Sequence, residues 1–407
     1  MLLQLALLLA QDDGVPVEVS WRDGLRFKAR DASWEGYLSG FVRVHGRMAL
    51  DRPDDDVAPI RTVPDSVFLR GARLETGGAF RNEFGYRLQV DWLTGTVNQE
   101  TGAAASTTST KLRDAWVEWR RFPSFMVRVG QFYEPCELED YGTGKHLEFA
   151  EKSALNRLGP GREQGIQIHG AWDVDVLRYF LMVSNGGGLV NDDGRSVPDA
   201  NDEKELSGAI YVQPFGGFRL GLGGSITDVD DVAAGDFDQT TPELSALWLD
   251  PMAGTFDGLR RRADANVRWI RGPVQLRAQA LWRDDELKGS AERRMESRGA
   301  FASLSWIATG EDKRADLRPV PAGDGGALEL AVRACRVEFP NAEDAGLTGP
   351  ADAERLTTLT FATTWWVDRF FRLSLDVVHE RYGGGIDVDG EELDALTGFL
   401  LRAQVDF

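Results

Sequence analysis

The 407-residue chain has only two cysteines, Cys136 and Cys335, and four histidines. Neither a disulfide framework nor a His/Cys metal centre can organise it. The cysteines lie far apart with no redox or metal spacing and are read as free thiols. His45, His146, His169 and His379 likewise show no ligand spacing. Past the first ten residues, no run approaches the roughly 18 uncharged apolar residues of a spanning helix, so any membrane insertion must be by strands. An excess of positive charge is missing too. With 46 Lys and Arg against 65 Asp and Glu, the net charge is -19, which excludes nucleic acid as the main partner. No serine sits in a nucleophile elbow, and adjacent His379 and Glu380 would point to opposite faces of a strand. Gly186-Gly187-Gly188 has no helix pattern after it and reads as a turn. The chain is therefore not read as an enzyme, and no cofactor or metal is expected.

What is abundant is glycine (45) and aromatic side chains (12 Trp, 7 Tyr, 21 Phe), a mixture that suits tightly turned β-structure. Beyond about residue 33 the apolar period is two. Phe84, Tyr86, Leu88, Val90 and Trp92 fall on one face, opposite Gly85, Arg87, Gln89 and Asp91. The same alternation marks 273–284 and the C-terminal Phe399 to Phe407. Similar segments lie near 33–48, 67–78, 110–121, 124–134, 163–172, 176–185, 205–214, 217–227, 259–271, 294–308, 326–338, 355–367 and 370–381, which makes sixteen strands once 240–249, with its Pro242, is taken as loop. Short links such as Phe122-Pro123 and Gly272-Pro273 alternate with long polar stretches such as 51–59, 98–110, 191–204, 228–239 and 383–394. An all-β, transmembrane, antiparallel up-and-down barrel requires that asymmetry. A soluble sandwich or propeller would also alternate, but aromatics crowd the strand ends on the apolar face, as interfacial girdles do.

The N-terminal MLLQLALLLA (1–10) has the character of a secretory signal core, too short to span a bilayer, which implies export to an oxidising compartment followed by cleavage. The expected organisation is signal core 1–10, periplasmic segment 11–32 and barrel 33–407. With the apolar face toward lipid, Arg87, Arg128, Arg268, Arg277, Arg283, Arg372 and Arg402 point inward, opposed by Glu83, Asp91, Asp376 and Asp406. Arg70 and Arg73 straddle the two faces of one strand, so one of them is expected near a rim. DVDG at 387–390 lacks the ligand spacing of a calcium loop.

Six stretches in order then resemble the phosphate-selective porin O and P family: LRGARLETGGAFRNEFGYRLQVDW (69–92), LRDAWVEWRRFPSFMVRVGQFYEP (112–135), LEFAEKSALNRLGPGREQGIQIHG (147–170), TGEDKRADLRP (309–319) with GALELAVRACRVE (326–338), TTWWVDRFFRLSLDVV (363–378) and the terminal LRAQVDF. The resemblance implies a sixteen-stranded, trimeric outer-membrane channel for small anions, with a constriction loop folded inward over 136–162. A long segment carrying Lys145, His146, Lys152, Arg157 and Arg162 could line a bore or simply be solvated outside. The family's basic positions align with Lys145, but another holds Asp140, and Glu137, Glu139, Glu148 and Glu151 add negative charge. Asp114 matches a strand carboxylate facing the constriction. The pore constriction is therefore expected at Lys145, His146, Arg157, Arg162, Asp114, Asp140 and Glu148. Expected partners are small anionic or polar solutes, outer-membrane lipids and two further copies of the chain. Two other readings stay open: a general or cation-tolerant pore, and a non-conducting barrel whose loops are an adhesive surface.

Overall fold

The computed structural model describes residues 16–21, 23–55, 61–93, 109–136, 139, 145–173, 176–186, 202–233, 239–250, 254–314, 317–319, 325–349 and 351–407. The signal core lies outside them. A hairpin of β1 (Val17–Trp21) and β2 (Leu25–Ala29) precedes the main sheet. There follow β3 (Trp34–Leu50), β4 (Ser66–Phe80), β5 (Phe84–Leu93), β6 (Ser109–Phe122), β7 (Phe125–Tyr133), β8 (Arg162–Trp172), β9 (Leu177–Ser184), β10 (Glu205–Phe215) and β11 (Phe218–Ala233). Two short strands, β12 (Gln239–Thr240) and β13 (Leu247–Leu249), pair only with each other. The chain then continues through β14 (Thr255–Arg271), β15 (Val274–Leu287), β16 (Ser290–Ile307), β17 (Ala327–Glu338), β18 (Arg355–Trp366), β19 (Phe371–Val388) and β20 (Glu391–Asp406).

Sixteen strands, β3 to β11 and β14 to β20, each pair antiparallel with their neighbours. The sheet closes where β20 meets β3, from Asp406 opposite Phe41 to Thr397 opposite Leu50. Closure leaves no edge to be satisfied in lipid. Alternation is clearest in β18, where Leu359, Phe361 and Trp365 are exposed while Thr358, Thr360 and Thr364 are buried. No described helix is long and apolar enough to cross a membrane, so crossing falls to the strands. The segment 240–249 stays outside the wall, as its proline implied.

Several elements are longer than the alternation suggested. The polar stretch 383–394 is mostly strand, and β19 joins β20 through Asp389 and Gly390, both at positive φ. The Asp387 carboxylate accepts the Gly390 amide at 2.9 Å, so DVDG is a hairpin turn.

The larger departure is inside. Near the long-loop end, β14 to β20 turn apolar side chains inward, among them Leu281, Phe301, Val337, Leu356, Val378 and Leu396. They form one core with Leu155 and Leu158, with Leu244 and Trp248, and with Phe339. Half of the barrel end is thus packed with protein. Glycines permit the close approach: a Cβ on Gly398 would lie 2.7 Å from Leu244, and one on Gly299 2.8 Å from Leu155.

Candidate functional site

Between β7 and β8 the chain leaves the wall and crosses the interior. Its root is latched to the wall: the Tyr211 hydroxyl donates to the Pro135 carbonyl at 2.7 Å, and Ser184 donates to the Glu134 carboxylate at 2.8 Å. The Cys136 thiol donates to the Gly224 carbonyl at 3.3 Å, and Cys136 and Cys335 are both buried and unbridged. Burial raises the Cys136 thiol well above its ordinary range.

Further along, the charged side chains of the crossing meet several different strands. Lys145 donates to the Gly40 carbonyl at 3.2 Å and lies 3.7 Å from Asp406; burial lowers its pKa. His146 stands 3.7 Å from Asp406 and beside the Trp366 ring. Glu148 accepts from Arg277 at 2.6 Å and from Lys313 at 2.7 Å. Its burial alone would raise its pKa, but those two cations outweigh burial and hold it low. Phe149 is fully buried under the Arg333 guanidinium, whose carbon is 4.3 Å from the ring centre. Glu151 pairs with Arg70 and sits 3.2 Å from His45, and these partners, against its burial, keep it well below the usual carboxylate range. The crossing ends in the 3₁₀ turn Ala154–Leu158, whose leucines enter the core while Arg157 stays exposed.

Asp114 accepts from Arg162 at 2.7 Å, and Arg87 lies 3.4 Å from its other oxygen. Arg162 also covers the Tyr133 ring at 3.6 Å. Sequence placed Arg70 and Arg73 on opposite faces; here both reach inward, to Glu151 and to Asp91 at 2.7 Å. A bulge explains it, since Arg43 pairs with Gly71 but Val44 with Leu69, which leaves Arg70 as the extra residue. Glu83, read as inward, is instead in the turn before β5, 3.9 Å from Arg121.

The sequence model of the phosphate-selective porin O and P proteins matches residues 42–407. The chain belongs to that family. Porin O of Pseudomonas aeruginosa is 20% identical to this porin over 97% of the chain and 93% of its own length. Among solved structures, the trimer form of the outer membrane protein OmpT of Vibrio cholerae superposes with a TM-score of 0.58 at 9% identity, covering 92% of this chain and all of that one. The outer membrane channel DcaP of Acinetobacter baumannii gives 0.56 at 12%, covering 94% and 99%. An anion-selective porin from Comamonas acidovorans gives 0.54 at 11%, covering 92% and 100%. Family and fold place this porin in the outer membrane as a diffusion channel.

The remaining predicted residues fall on the porin's inner wall. Arg87 pairs with Glu75 at 2.9 Å, Arg128 with Glu118 at 2.6 Å and Arg283 with Asp285 at 2.6 Å. Arg372 donates to the Leu147 carbonyl at 3.1 Å and to Gln404 at 2.9 Å, which holds the crossing against β19 and β20. Arg268 stands directly opposite Arg219 on β11 and Arg277 on β15. Asp140 lies outside the described residues. Sequence reading missed Lys313, which comes from the opposite end in the long link after β16 and is fully buried between Glu148 and Glu329. It also missed Glu243 of the β12–β13 segment, paired with Arg333 at 2.5 Å. The unusual length of the 308–326 link and the apolar LSALWL after Pro242 were the available signals.

Proposed function

We propose that this porin favours small anions, phosphate among them, and that the 136–162 segment is its constriction. One observation carries the reading: Arg219, Arg268 and Arg277 occupy directly opposed positions on three adjacent strands, all turned inward. Like charges facing each other across strands are destabilising. A row of cations on the inner wall attracts small anions, and guanidinium forks match phosphate oxygens geometrically. Glu148 pairs with Arg277 at one end of the row.

Among the described loop carboxylates, Glu148 is paired with the buried Arg277 and Lys313, Glu139 with the buried Arg333, and Glu151 with the part-exposed Arg70. The mechanism has no chemical step: solute passes the packed half of the mouth, follows the charged inner wall and leaves at the short-turn end. Assembly as a homotrimer is part of the proposal, supported by family membership and by the similar trimeric OmpT of Vibrio cholerae.

The test is planar-bilayer current. Purified porin gives discrete chloride steps, inorganic phosphate lowers them in a saturable way, and Arg268→Gln weakens that block by about tenfold, the scale of one charge-assisted hydrogen bond. Chloride steps indifferent to phosphate would defeat the phosphate preference, and absence of any steps would favour a non-conducting barrel.

A further inference from the structure

The outward face of β16 to β19 changes character along its height. One cross-strand row holds Leu328, Trp365, Leu373 and Ala403; two apolar rows stand above it, and then Ala334, Leu359 and His379. The next row holds Arg336, Thr357 and Arg381, and beyond it lie Arg298, Glu338 and Arg355. Trp365 to Thr357 is eight residues along one strand, about 20 Å of height at the usual rise and tilt. That is close to the apolar band of such barrels, so the arginine rows begin where hydrocarbon ends and lipid headgroups start.

Two guanidinium groups share one carboxylate here, and Arg298 also lies 3.3 Å from Glu296. Glu338 accepts from Arg298 and from Arg336, each at 2.6 Å, while both arginine side chains remain about half exposed. Arg355 lies along the wall over Gly383, where a Cβ would come within 2.7 Å of its Nε. Among the described residues neither Arg355 nor Arg381 meets a carboxylate. On β15 the same two rows hold Ala280 and Trp282, and the acids further along that strand, Asp284 and Glu286, are bound to Arg294.

We propose that the outward cluster of Arg336, Arg355 and Arg381, edged by Arg298, binds the phosphate of a lipid headgroup in the outer leaflet. A surface arginine elsewhere is simply solvated. On this wall the nearest anions are headgroups held at the same depth, and arginine binds their oxygens with two parallel hydrogen bonds. The site faces away from the lumen, so it is independent of the anion preference proposed above.

The experiment uses native mass spectrometry of the detergent-purified porin mixed with diphosphorylated lipid A, with the same lipid after dephosphorylation, and with inorganic phosphate as competitor. The wild type retains diphosphorylated lipid at least tenfold more than dephosphorylated lipid. Arg336→Ala/Arg381→Ala loses that preference while keeping its heat-modifiable migration and its chloride current, and Arg121→Ala at the opposite end behaves as wild type. Equal retention of both lipids, or an unchanged preference in the double variant, would overturn the proposal. Competition by free phosphate as effective as that of the lipid would reassign the cluster to a soluble anion. Dissociation of the double variant into monomers without lipid would reassign it to a subunit contact.

Discussion

Glu148 joins three parts of the chain that are far apart in sequence: the inner crossing, β15 through Arg277 and the link after β16 through Lys313. Lys313 is fully buried, so Lys313→Met leaves Glu329 and part of Glu148 without their cation. Removing one partner of a buried pair costs about 3–5 kcal/mol, and the guanidinium midpoint of tryptophan fluorescence should fall accordingly. An unchanged midpoint would mean that the contact is solvated. Glu151 bears on acid sensitivity, because its folded pKa is depressed below its unfolded value. The stability it adds is present above the unfolded pKa, near 4.5, and is lost only as pH falls through the folded value. Channel steps should therefore be the same at about pH 7 and about pH 5, and a closing transition between them would show that the crossing is not held by this pair. Residue by residue, alternation put Arg87, Arg128, Arg277 and Arg372 on the charged face, and in the structure they contact Glu75, Glu118, Glu148 and the Leu147 carbonyl. It separated Arg70 from Arg73, which both reach inward, because a bulge shifts the period by one and leaves no mark in composition.

At the scale of elements, all sixteen wall strands were legible, since lipid on one side and charge on the other impose a strict period of two. The interior segments were not. The β12–β13 piece packs Leu244 and Trp248 into a core made by inward Phe301, Val337 and Leu396, so there both faces of a strand are apolar and the period fades. The position of the 136–162 crossing came from family likeness and from the length between two strands, not from any pattern within it. Replacing Thr241–Ala246 by a short glycine linker should raise single-channel conductance, with β-sheet circular dichroism retained. Unaltered conductance would show that the segment does not limit flow. Gly398→Val tests the same packing from the wall side: its Cβ would collide with Leu244 and with the Met48 carbonyl, so the melting temperature should drop without loss of the barrel.

For the whole molecule, a net charge of -19 is compatible with the anion preference proposed above. Lumen acids such as Asp91, Asp114 and Glu118 are each matched by arginine, and Arg219, Arg268 and Arg277 occupy directly opposed positions on three adjacent strands. Total charge, visible in the sequence, therefore says little about the sign of the field along the bore. The direct measurement is the zero-current potential of the purified porin in a bilayer with potassium chloride more concentrated on one side. The account predicts a sign set by chloride moving down its gradient, displaced toward zero in Arg268→Gln. A potential of the opposite sign, with potassium as the main carrier, would contradict it.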